Sequence, residues 1–273
     1  MTLTRRVSFS SGHRYWLRGL SDNENRALFG KWASPFNHGH NYILEASVRG
    51  KTDEQTGMVV NIKTLDDILQ ERVVEVFDQR SINDEVEEFI DISPTLENIG
   101  RVIMARLNNL PFGVELTRLR IYETPLLFAD FDTNEETIVK LTRGYEFAAS
   151  HRLQIDSMSD AENQSLFGKC NNENGHGHNY ELEVTVTGIV DSRTGMLADI
   201  GEVDRVVRKE VVDRYDHKHL NLDLPEFDGI NPTTEAITRT IWRRLNGKLP
   251  AKLDKVLVRE TARNIFEYSG EDE

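Results

Sequence analysis

The feature that most constrains this chain is an internal repeat with a period of 138 residues. Four short motifs occur twice at that separation. They are His13-Arg14 and His151-Arg152, Leu28–Lys31 and Leu166–Lys169, His38–Tyr42 and His176–Tyr180, and Thr56–Met58 and Thr194–Met196. A period this long exceeds that of a solenoid unit, so it indicates two copies of one domain. We expect the domains at residues 1–133 and 142–273, joined by a short polar linker over 133–142.

The spacing of apolar residues in each copy predicts the element order ββααββ. Alternating and helical spacing of apolar residues, with Ser93-Pro94 as a helix start, defines the segments. In the first copy they are Arg6–Ser11, Asn41–Gly50, Lys63–Phe77, Thr95–Leu107, Leu116–Glu123 and Leu126–Phe131. In the second they are Tyr180–Gly188, Gly201–Tyr215, Thr233–Leu245, Lys255–Glu260 and Asn264–Tyr268, behind a strand that ends at His151. This order predicts an α+β fold, with a four-stranded antiparallel sheet and two helices in each copy.

The composition excludes several classes of protein. The net charge of −13 over 273 residues repels a polyanion, so we expect no nucleic-acid partner. No apolar run reaches the roughly 18 residues of a membrane span, and Met1–Ser10 lacks the apolar core of a signal peptide. The single cysteine, Cys170, forms no disulfide within the chain. We therefore expect a cytoplasmic protein with no membrane partner.

Histidines in the repeated motifs predict a metal site. His176 and His178 are two residues apart, so on a strand both side chains point to the same side. His151 supplies a third nitrogen if its strand is adjacent, which leaves a fourth position open, as in catalytic zinc sites. Imidazole ligands fit zinc better than calcium or magnesium, although iron and copper stay open. The first copy repeats the pattern at His13, His38 and His40, so six of the eight histidines are at equivalent positions.

Three residues of the second copy are candidate catalytic groups. Cys170 lies in a polar loop beside Lys169, where a nearby cation and a metal ion lower a thiol pKa and make the thiol a usable base. A small buried hydrophobe is the alternative. Asp216 and His217 follow the first long helix and can set the protonation state of the thiol, although a solvated helix end explains them alone. For His219 a structural role and a functional one stay equally open.

Candidate substrate-binding residues lie at two element ends. Glu260 closes a strand, and its carboxylate can accept two N–H donors of a heterocyclic ring. An exposed strand end is the alternative. Thr233 and Thr234 open the second helix, where capping explains most of the pattern. A substrate pocket at that helix start is the other interpretation.

Together these residues resemble the 6-pyruvoyltetrahydropterin synthase family, which includes the related 6-carboxytetrahydropterin synthases of queuosine biosynthesis. The similarity is greatest over Leu166–Tyr180 and weaker over the first copy. It implies the tunnelling fold (T-fold) and 7,8-dihydroneopterin triphosphate as substrate. It also implies sites between neighbouring domains. By this resemblance zinc is held by His151, His176 and His178. Cys170 shuttles protons, and Asp216 and His217 adjust the protonation of its thiol. Glu260 holds the pterin ring near Thr233 and Thr234.

The first copy departs from this pattern. Trp32 stands where the second copy has Cys170, and Gln79 where it has His217, while Asp78 matches Asp216. Neither an indole nor a primary amide exchanges protons near neutral pH, so we expect no such chemistry here. Glu123 matches Glu260 after a one-residue gap, so pterin binding can survive. We favour a structural zinc domain over a pterin-binding regulatory pocket or an unknown activity.

The resemblance also sets the expected assembly and the competing functions. In the family, three domains close a ring, so three tandem chains would stack a ring of first copies on a ring of second copies. The leading hypothesis is a zinc-dependent lyase that forms 6-pyruvoyltetrahydropterin. The nearest alternative releases acetaldehyde and triphosphate to give the 6-carboxy product. An alternative of another class is a non-catalytic pterin-binding or regulatory protein.

Overall fold

The structure, a computed structural model, describes residues 1–135 and 137–271 and divides into two compact units. The first unit comprises Met1–Leu141 together with Thr187–Leu197, and the second comprises Thr142–Val186 together with Ala198–Glu273. A segment that the sequence repeat assigns to the second copy therefore belongs to the first unit. Within the described residues, no helix has both the length and the apolar character needed to cross a bilayer.

The first unit has a four-stranded antiparallel sheet in the order β5-β4-β2-β1, with the short β3 parallel to β1. Its elements are β1 (Thr2–His13), α1 (Asp22–Phe29), β2 (His38–Arg49), α2 (Ile62–Leu69), α3 (Glu75–Phe77), β3 (Arg80–Ser81), α4 (Ile82–Glu85), α5 (Leu96–Arg106), β4 (Glu115–Thr124) and β5 (Leu127–Asp132). The predicted order ββααββ is therefore confirmed for the long elements.

The second unit repeats this arrangement, with the sheet order β10-β9-β7-β6 and a short β8 parallel to β6. Its elements are β6 (Ile138–His151), α6 (Asp160–Phe167), β7 (His176–Ile189), α7 (Ile200–Val207), α8 (Asp213–Tyr215), β8 (Lys218–His219), α9 (Leu220–Asp223), α10 (Thr234–Leu245), β9 (Lys252–Thr261) and β10 (Asn264–Tyr268). β6 begins at Ile138, so strand replaces part of the linker expected over 133–142.

The burial of alternate residues shows which face of each sheet packs against the hydrophobic core. In β2 the side chains of Tyr42, Leu44, Ala46 and Val48 are all buried, at every second position. Successive strand residues point to opposite faces, so this face covers the core. In the second unit Tyr180, Leu182, Val184 and Val186 of β7 repeat the pattern.

The long helix predicted over Lys63–Phe77 contains a change of helical type. α2 passes at Gln70 into a π-helical segment, Gln70–Val74, before the last turn α3. Leu65, Leu69, Val73 and Phe77 are nevertheless buried at a spacing of four, on one helix face. The second unit has its π-helical segment at the equivalent place, Arg208–Val212.

The sequence reading missed two helices, α1 and α6, although a signal for each is present. Ser21 caps α1 by accepting from the backbone N–H of Glu24, whose side chain accepts from Ser21 N–H in return. Ser159 and Glu162 form the same capping box in α6. A Ser-x-x-Glu pattern of this kind marks a helix start.

A β-bulge places the two glutamates equivalently. In the first unit the pairing between β4 and β5 shifts between Tyr122 and Thr124, which leaves Glu123 as the extra residue. In the second, the pairing between β9 and β10 passes from Thr261 to Arg259 and skips Glu260. A bulge changes the direction in which the side chain of the extra residue points. Both carboxylates therefore depart from the alternating pattern of their strands at equivalent positions.

Candidate active site

Three histidines of the second unit converge at adjoining strand ends. His151 is the last residue of β6, and His176 opens β7 two positions before His178. Their ring centroids lie 4.6 Å (His151–His176), 5.4 Å (His151–His178) and 4.9 Å (His176–His178) apart. One nitrogen from each ring lies within 4.8 Å of the other two. This grouping is the one that the sequence predicted.

The hydrogen bonding of His151 leaves one of its nitrogens available for a metal ion. Nδ1 lies 2.8 Å from the carbonyl oxygen of Pro232, so Nδ1 carries the hydrogen and Nε2 presents its lone pair. That Nε2 is buried and has no hydrogen-bond partner, and the same is true of His176 Nδ1 and His178 Nε2. Buried polar atoms are normally satisfied, so three orphaned imidazole nitrogens fit a metal ion.

Burial also favours the neutral form that metal coordination requires. It is the largest factor that lowers the pKa of His151 and of His176. A neutral imidazole binds a metal ion, whereas an imidazolium has no free lone pair. These two rings are therefore ready to act as ligands at neutral pH.

The first unit holds an equivalent group of histidines. His13 of β1 pairs directly with His38 of β2, and His40 follows two positions later. Ligand nitrogens of the three rings lie within 4.8 Å of one another. His13 Nδ1 lies 2.8 Å from the Pro94 carbonyl, and burial lowers the pKa of His13 to about 3. Both units therefore present a metal-compatible set of residues.

Glu260 lies beside the second triad and is held from two sides. Its Oε1 is 3.8 Å from His151 Nε2 and 3.9 Å from His178 Nε2. The hydroxyl of Thr234 donates to Oε1 at 2.6 Å, and the amide of Asn264 donates to Oε2 at 3.0 Å. Burial raises the pKa of Glu260, but these two donors and the histidines outweigh it and lower the pKa overall. The carboxylate is therefore ionised and oriented at neutral pH.

Cys170 lies in a short 3-10 turn, Gly168–Asn171, that is tied to the chain after His151. The Cys170 carbonyl accepts from Leu153 N–H at 2.9 Å, and the Asn171 amide donates to the Leu153 carbonyl at 2.8 Å. Cys170 is partly exposed, unlike a buried structural cysteine. The loop is therefore anchored two residues from a triad histidine.

Tyr180 packs beside the histidine triad, and the sequence analysis gave it no role. Its phenol oxygen is buried without a hydrogen-bond partner, and its ring lies 5.6 Å from that of His178. Burial first, and then the negative charges of Glu260 and Cys170, raise the pKa of Tyr180. The available signal was position, since residues two apart on a strand share a face.

Asp216 and His217 form a pair fixed to β6. His217 Nδ1 lies 2.8 Å from Asp216 Oδ2, and Asp216 Oδ1 accepts from Ala148 N–H at 2.8 Å. The His217 N–H donates to the Ala148 carbonyl at 2.6 Å. The Ala148 N–H, followed by His217, lowers the pKa of Asp216. The His217 side chain is 84% exposed, so the pair lies at the surface, three residues before His151 along β6.

The two threonines at the start of α10 have different roles. Thr233 is the N-cap, and its hydroxyl accepts from Ala236 N–H at 3.3 Å. Thr234 is buried, and its hydroxyl binds Glu260. Asn264, the second donor to Glu260, was absent from the sequence prediction, because only the bulge brings the start of β10 to that carboxylate.

The first unit has the same backbone arrangement at the equivalent site, but several of its side chains differ. Asp78 Oδ1 accepts from Ser10 N–H at 2.8 Å, as Asp216 does from Ala148, and Gln79 occupies the position of His217. Gln79 and His217 share a left-handed backbone, with φ of 56° and 58°. Glu123 Oε1 lies 3.7 Å from His40 Nε2. The bulge glutamate therefore faces the triad in both units.

Comparison with known proteins gives the family. The sequence model described as 6-pyruvoyl tetrahydropterin synthase matches residues 2–134 and again residues 140–271. The 6-pyruvoyl tetrahydrobiopterin synthase of Homo sapiens is 44% identical over 133 residues, which are 48% of this chain and 92% of the human protein. The Drosophila melanogaster synthase is 43% identical over 139 residues, 50% of this chain and 83% of that protein.

Among solved structures, the Caenorhabditis elegans 6-pyruvoyl tetrahydropterin synthase is 40% identical with a TM-score of 0.47. The match covers 49% of this chain and 96% of that one. Because the family model matches almost the whole sequence in two successive copies, this chain belongs to the 6-pyruvoyl tetrahydropterin synthase family. It is an enzyme of that type, built from two tandem T-fold domains.

Proposed function

We propose that the second unit is a zinc-dependent lyase site. It converts 7,8-dihydroneopterin triphosphate to 6-pyruvoyltetrahydropterin and releases triphosphate. The observation that carries this proposal is the position of Glu260, held 3.8 and 3.9 Å from two orphaned histidine nitrogens of the triad. One site thus combines a metal-binding group with a carboxylate suited to a heterocyclic ring. The human and Drosophila relatives, named as synthases of this product, support the same assignment.

His151, His176 and His178 hold the zinc ion in this proposal. When bound, zinc supplies Lewis acidity, which makes the protons beside the substrate's side-chain hydroxyls easier to remove. The imidazole set supports zinc over calcium or magnesium, which prefer oxygen ligands. The Pro232 carbonyl fixes the tautomer of His151, so the ligand set is organised before metal arrives.

Cys170 accepts and returns the protons in this scheme. Its thiol, in the turn tied to the chain after His151, is the group that can act as a base once ionised. Asp216 orients His217 through its Nδ1, and this pair tunes the protonation of Cys170. The rearrangement is an internal redox change within the substrate, so it needs no external oxidant or reductant.

Glu260 anchors the pterin ring. An ionised carboxylate accepts the paired N–H groups of the pterin, a bidentate contact that fixes the ring plane. Thr234 and Asn264 hold the carboxylate in place before the substrate arrives. Thr233 contributes by capping the helix on which Thr234 stands.

We also propose a structural zinc ion in the first unit, on His13, His38 and His40. Trp32 and Gln79 replace the groups that would move protons, so no turnover is expected there. The tandem chain is expected to assemble as a homotrimer, with a cytoplasmic location. A solution mass of one or two chains, measured by light scattering, contradicts the trimer.

The test is product analysis with purified zinc-loaded chain and 7,8-dihydroneopterin triphosphate. We expect triphosphate and 6-pyruvoyltetrahydropterin in equal amounts. Release of acetaldehyde with a 6-carboxy product assigns the chain to the alternative chemistry. Cys170→Ala and Cys170→Ser should lower kcat by about 10²–10⁴-fold, the usual contribution of a general base, at unchanged zinc content. Wild-type turnover in both variants would refute the proposed role of the thiol.

A further inference from the structure

The arginine that follows the first histidine of each triad has different surroundings in the two units. In the first unit, Arg14 Nη1 donates to Asn37 Oδ1 at 3.1 Å, and Arg14 Nη2 donates to Asp84 Oδ1 at 3.2 Å. The Ser81 hydroxyl donates to the other carboxylate oxygen of Asp84 at 2.6 Å. The positive charge of Arg14 therefore has a carboxylate partner within its own unit.

Arg152 occupies the equivalent position in the second unit and makes the same backbone contacts. Arg14 N–H donates to Asn83 Oδ1 at 2.9 Å, and the Asn83 amide donates back to the Arg14 carbonyl at 3.0 Å. The corresponding hydrogen bonds between Arg152 and Asn221 measure 2.8 and 2.9 Å. The two arginines therefore differ in their side-chain partners and not in the position of their backbone.

The second unit lacks the side-chain partners of Arg14. The residues at the equivalent positions are Gly175 for Asn37, His219 for Ser81 and Leu222 for Asp84. Among the residues that the structure describes, the Arg152 guanidinium forms no ion pair, and its Nε is buried without a hydrogen-bond partner. A partly buried cation without a counter-charge costs free energy, so a bound anion is the expected partner.

Arg152 lines a cavity of about 640 Å³ and directly follows His151 of the triad. His219 lines the same cavity, and its Nδ1 is buried without a hydrogen-bond partner. Gly175 makes room for this imidazole, because a Cβ at that position would lie 2.7 Å from His219 Nε2. Buried polar atoms are normally satisfied, so two residues with unsatisfied nitrogens in one cavity indicate a ligand that accepts hydrogen bonds.

The carboxylates that also line this cavity are exposed. They belong to Asp156, Glu173 and Asp228, whereas Arg152 and His219 are partly buried. Solvent and salt screen exposed charges more strongly than partly buried ones. The buried side of the cavity therefore favours a negatively charged group.

We infer that Arg152 and His219 form a binding site for the triphosphate group of the substrate. This inference rests on the proposed function for the identity of the anion. A guanidinium binds phosphate oxygens through two parallel N–H bonds, and an imidazole N–H adds a further donor. In the first unit Asp84 already holds the equivalent arginine. His219 thus has a role in binding, beside the zinc ligand that Arg152 follows.

The first test is the affinity for inorganic triphosphate, measured by isothermal titration calorimetry of the zinc-loaded chain. Leu222→Asp restores a carboxylate at the position of Asp84, and the fold should tolerate it because Leu222 is 81% exposed. The new carboxylate competes with the ligand for Arg152, so Kd for triphosphate should rise roughly tenfold or more. Leu222→Asn adds an amide without the charge and should leave Kd close to the wild-type value.

Arg152→Gln and Arg14→Gln are a matched pair of variants. Only Arg152→Gln should weaken the binding of triphosphate, because Arg14 is already paired with Asp84. A wild type that binds no triphosphate overturns the inference. Equal Kd values in wild type, Leu222→Asp and Arg152→Gln, at unchanged zinc content, also overturn it.

A second measurement separates this inference from the proposed function. Neopterin carries no phosphate, so its affinity should be equal in wild type and Leu222→Asp. KM for 7,8-dihydroneopterin triphosphate should rise roughly tenfold in the same variant. An unchanged KM in an active variant overturns the triphosphate site and leaves the proposed function standing. A chain that binds triphosphate through Arg152 but forms no pterin product refutes the proposed function, while the anion site stands.

Discussion

The hydroxyl of Thr234 donates to Oε1 of Glu260 at 2.6 Å and so joins the first turn of α10 to the bulge of β9. The two residues are 26 positions apart in sequence. Since Asn264 holds the other carboxylate oxygen, Glu260 has little freedom to rotate. A preorganised acceptor of this kind loses less entropy when a ligand binds.

Removing the Thr234 hydroxyl should therefore weaken substrate binding. A hydrogen bond to a charged group contributes about 1.5–3 kcal/mol, so Thr234→Val should raise KM by roughly tenfold or more, with a smaller change in kcat. Steady-state kinetics of the purified variant measures both. Thr234→Ser keeps the hydroxyl and is the matched control. Equal KM values for the valine and serine variants would argue against this role of the bond.

The Asp216–His217 pair can be tested against its counterpart in the first unit. Asp78 and Asp216 each accept a backbone N–H of the first strand of their own copy, so alanine at either position removes the same anchor. Only Asp216→Ala should lower kcat, because only Asp216 orients a histidine. If Asp78→Ala reduces kcat as much, the effect is structural.

His217→Gln isolates the proton-transfer role, because glutamine already adopts the same left-handed backbone at Gln79. We expect kcat to fall by about 10²-fold with unchanged thermal stability, the scale of a lost acid–base group. A kcat within a factor of two of wild type would remove His217 from the mechanism.

Metal content separates the two triads. His151→Ala should leave one zinc ion per chain and abolish turnover, since three ligands are needed to hold the catalytic ion. His13→Ala should also leave one zinc ion, lower the melting temperature and retain turnover per folded chain. Elemental analysis of dialysed protein gives the count. Two zinc ions in His151→Ala would contradict the assigned ligands.

Glu97 predicts a pH-dependent stability of the first unit. Burial raises its pKa, although Leu197 N–H opposes the shift. A raised carboxyl pKa means that the folded state disfavours the ionised form, so Glu97 destabilises the fold above that pKa and the effect fades as pH falls. Glu97→Gln, which still accepts from Leu197, should be more stable than wild type at pH 8, with a smaller difference at pH 5. Denaturant unfolding measures this; a variant less stable at both values contradicts it.

Much of the candidate site could be predicted because it is encoded locally. His176 and His178 share a strand face through spacing alone, and the constant offset assigns the same geometry to His38 and His40. Asn264 and Tyr180 were missed for different reasons. Asn264 reaches Glu260 only across a bulge, whereas Tyr180 belongs to a repeated motif but acquires a role only from its neighbours.

By itself, the sequence determined the duplication, the order of strands and helices, the family and both histidine groups, because periodicity and repeated motifs act over short spans of chain. Only the tertiary structure decided that Thr187–Leu197 belongs to the first unit, where the Gly195 carbonyl accepts from the Thr95 hydroxyl. Those facts depend on contacts between residues about 100 positions apart, such as Leu197 with Glu97, which no local pattern specifies.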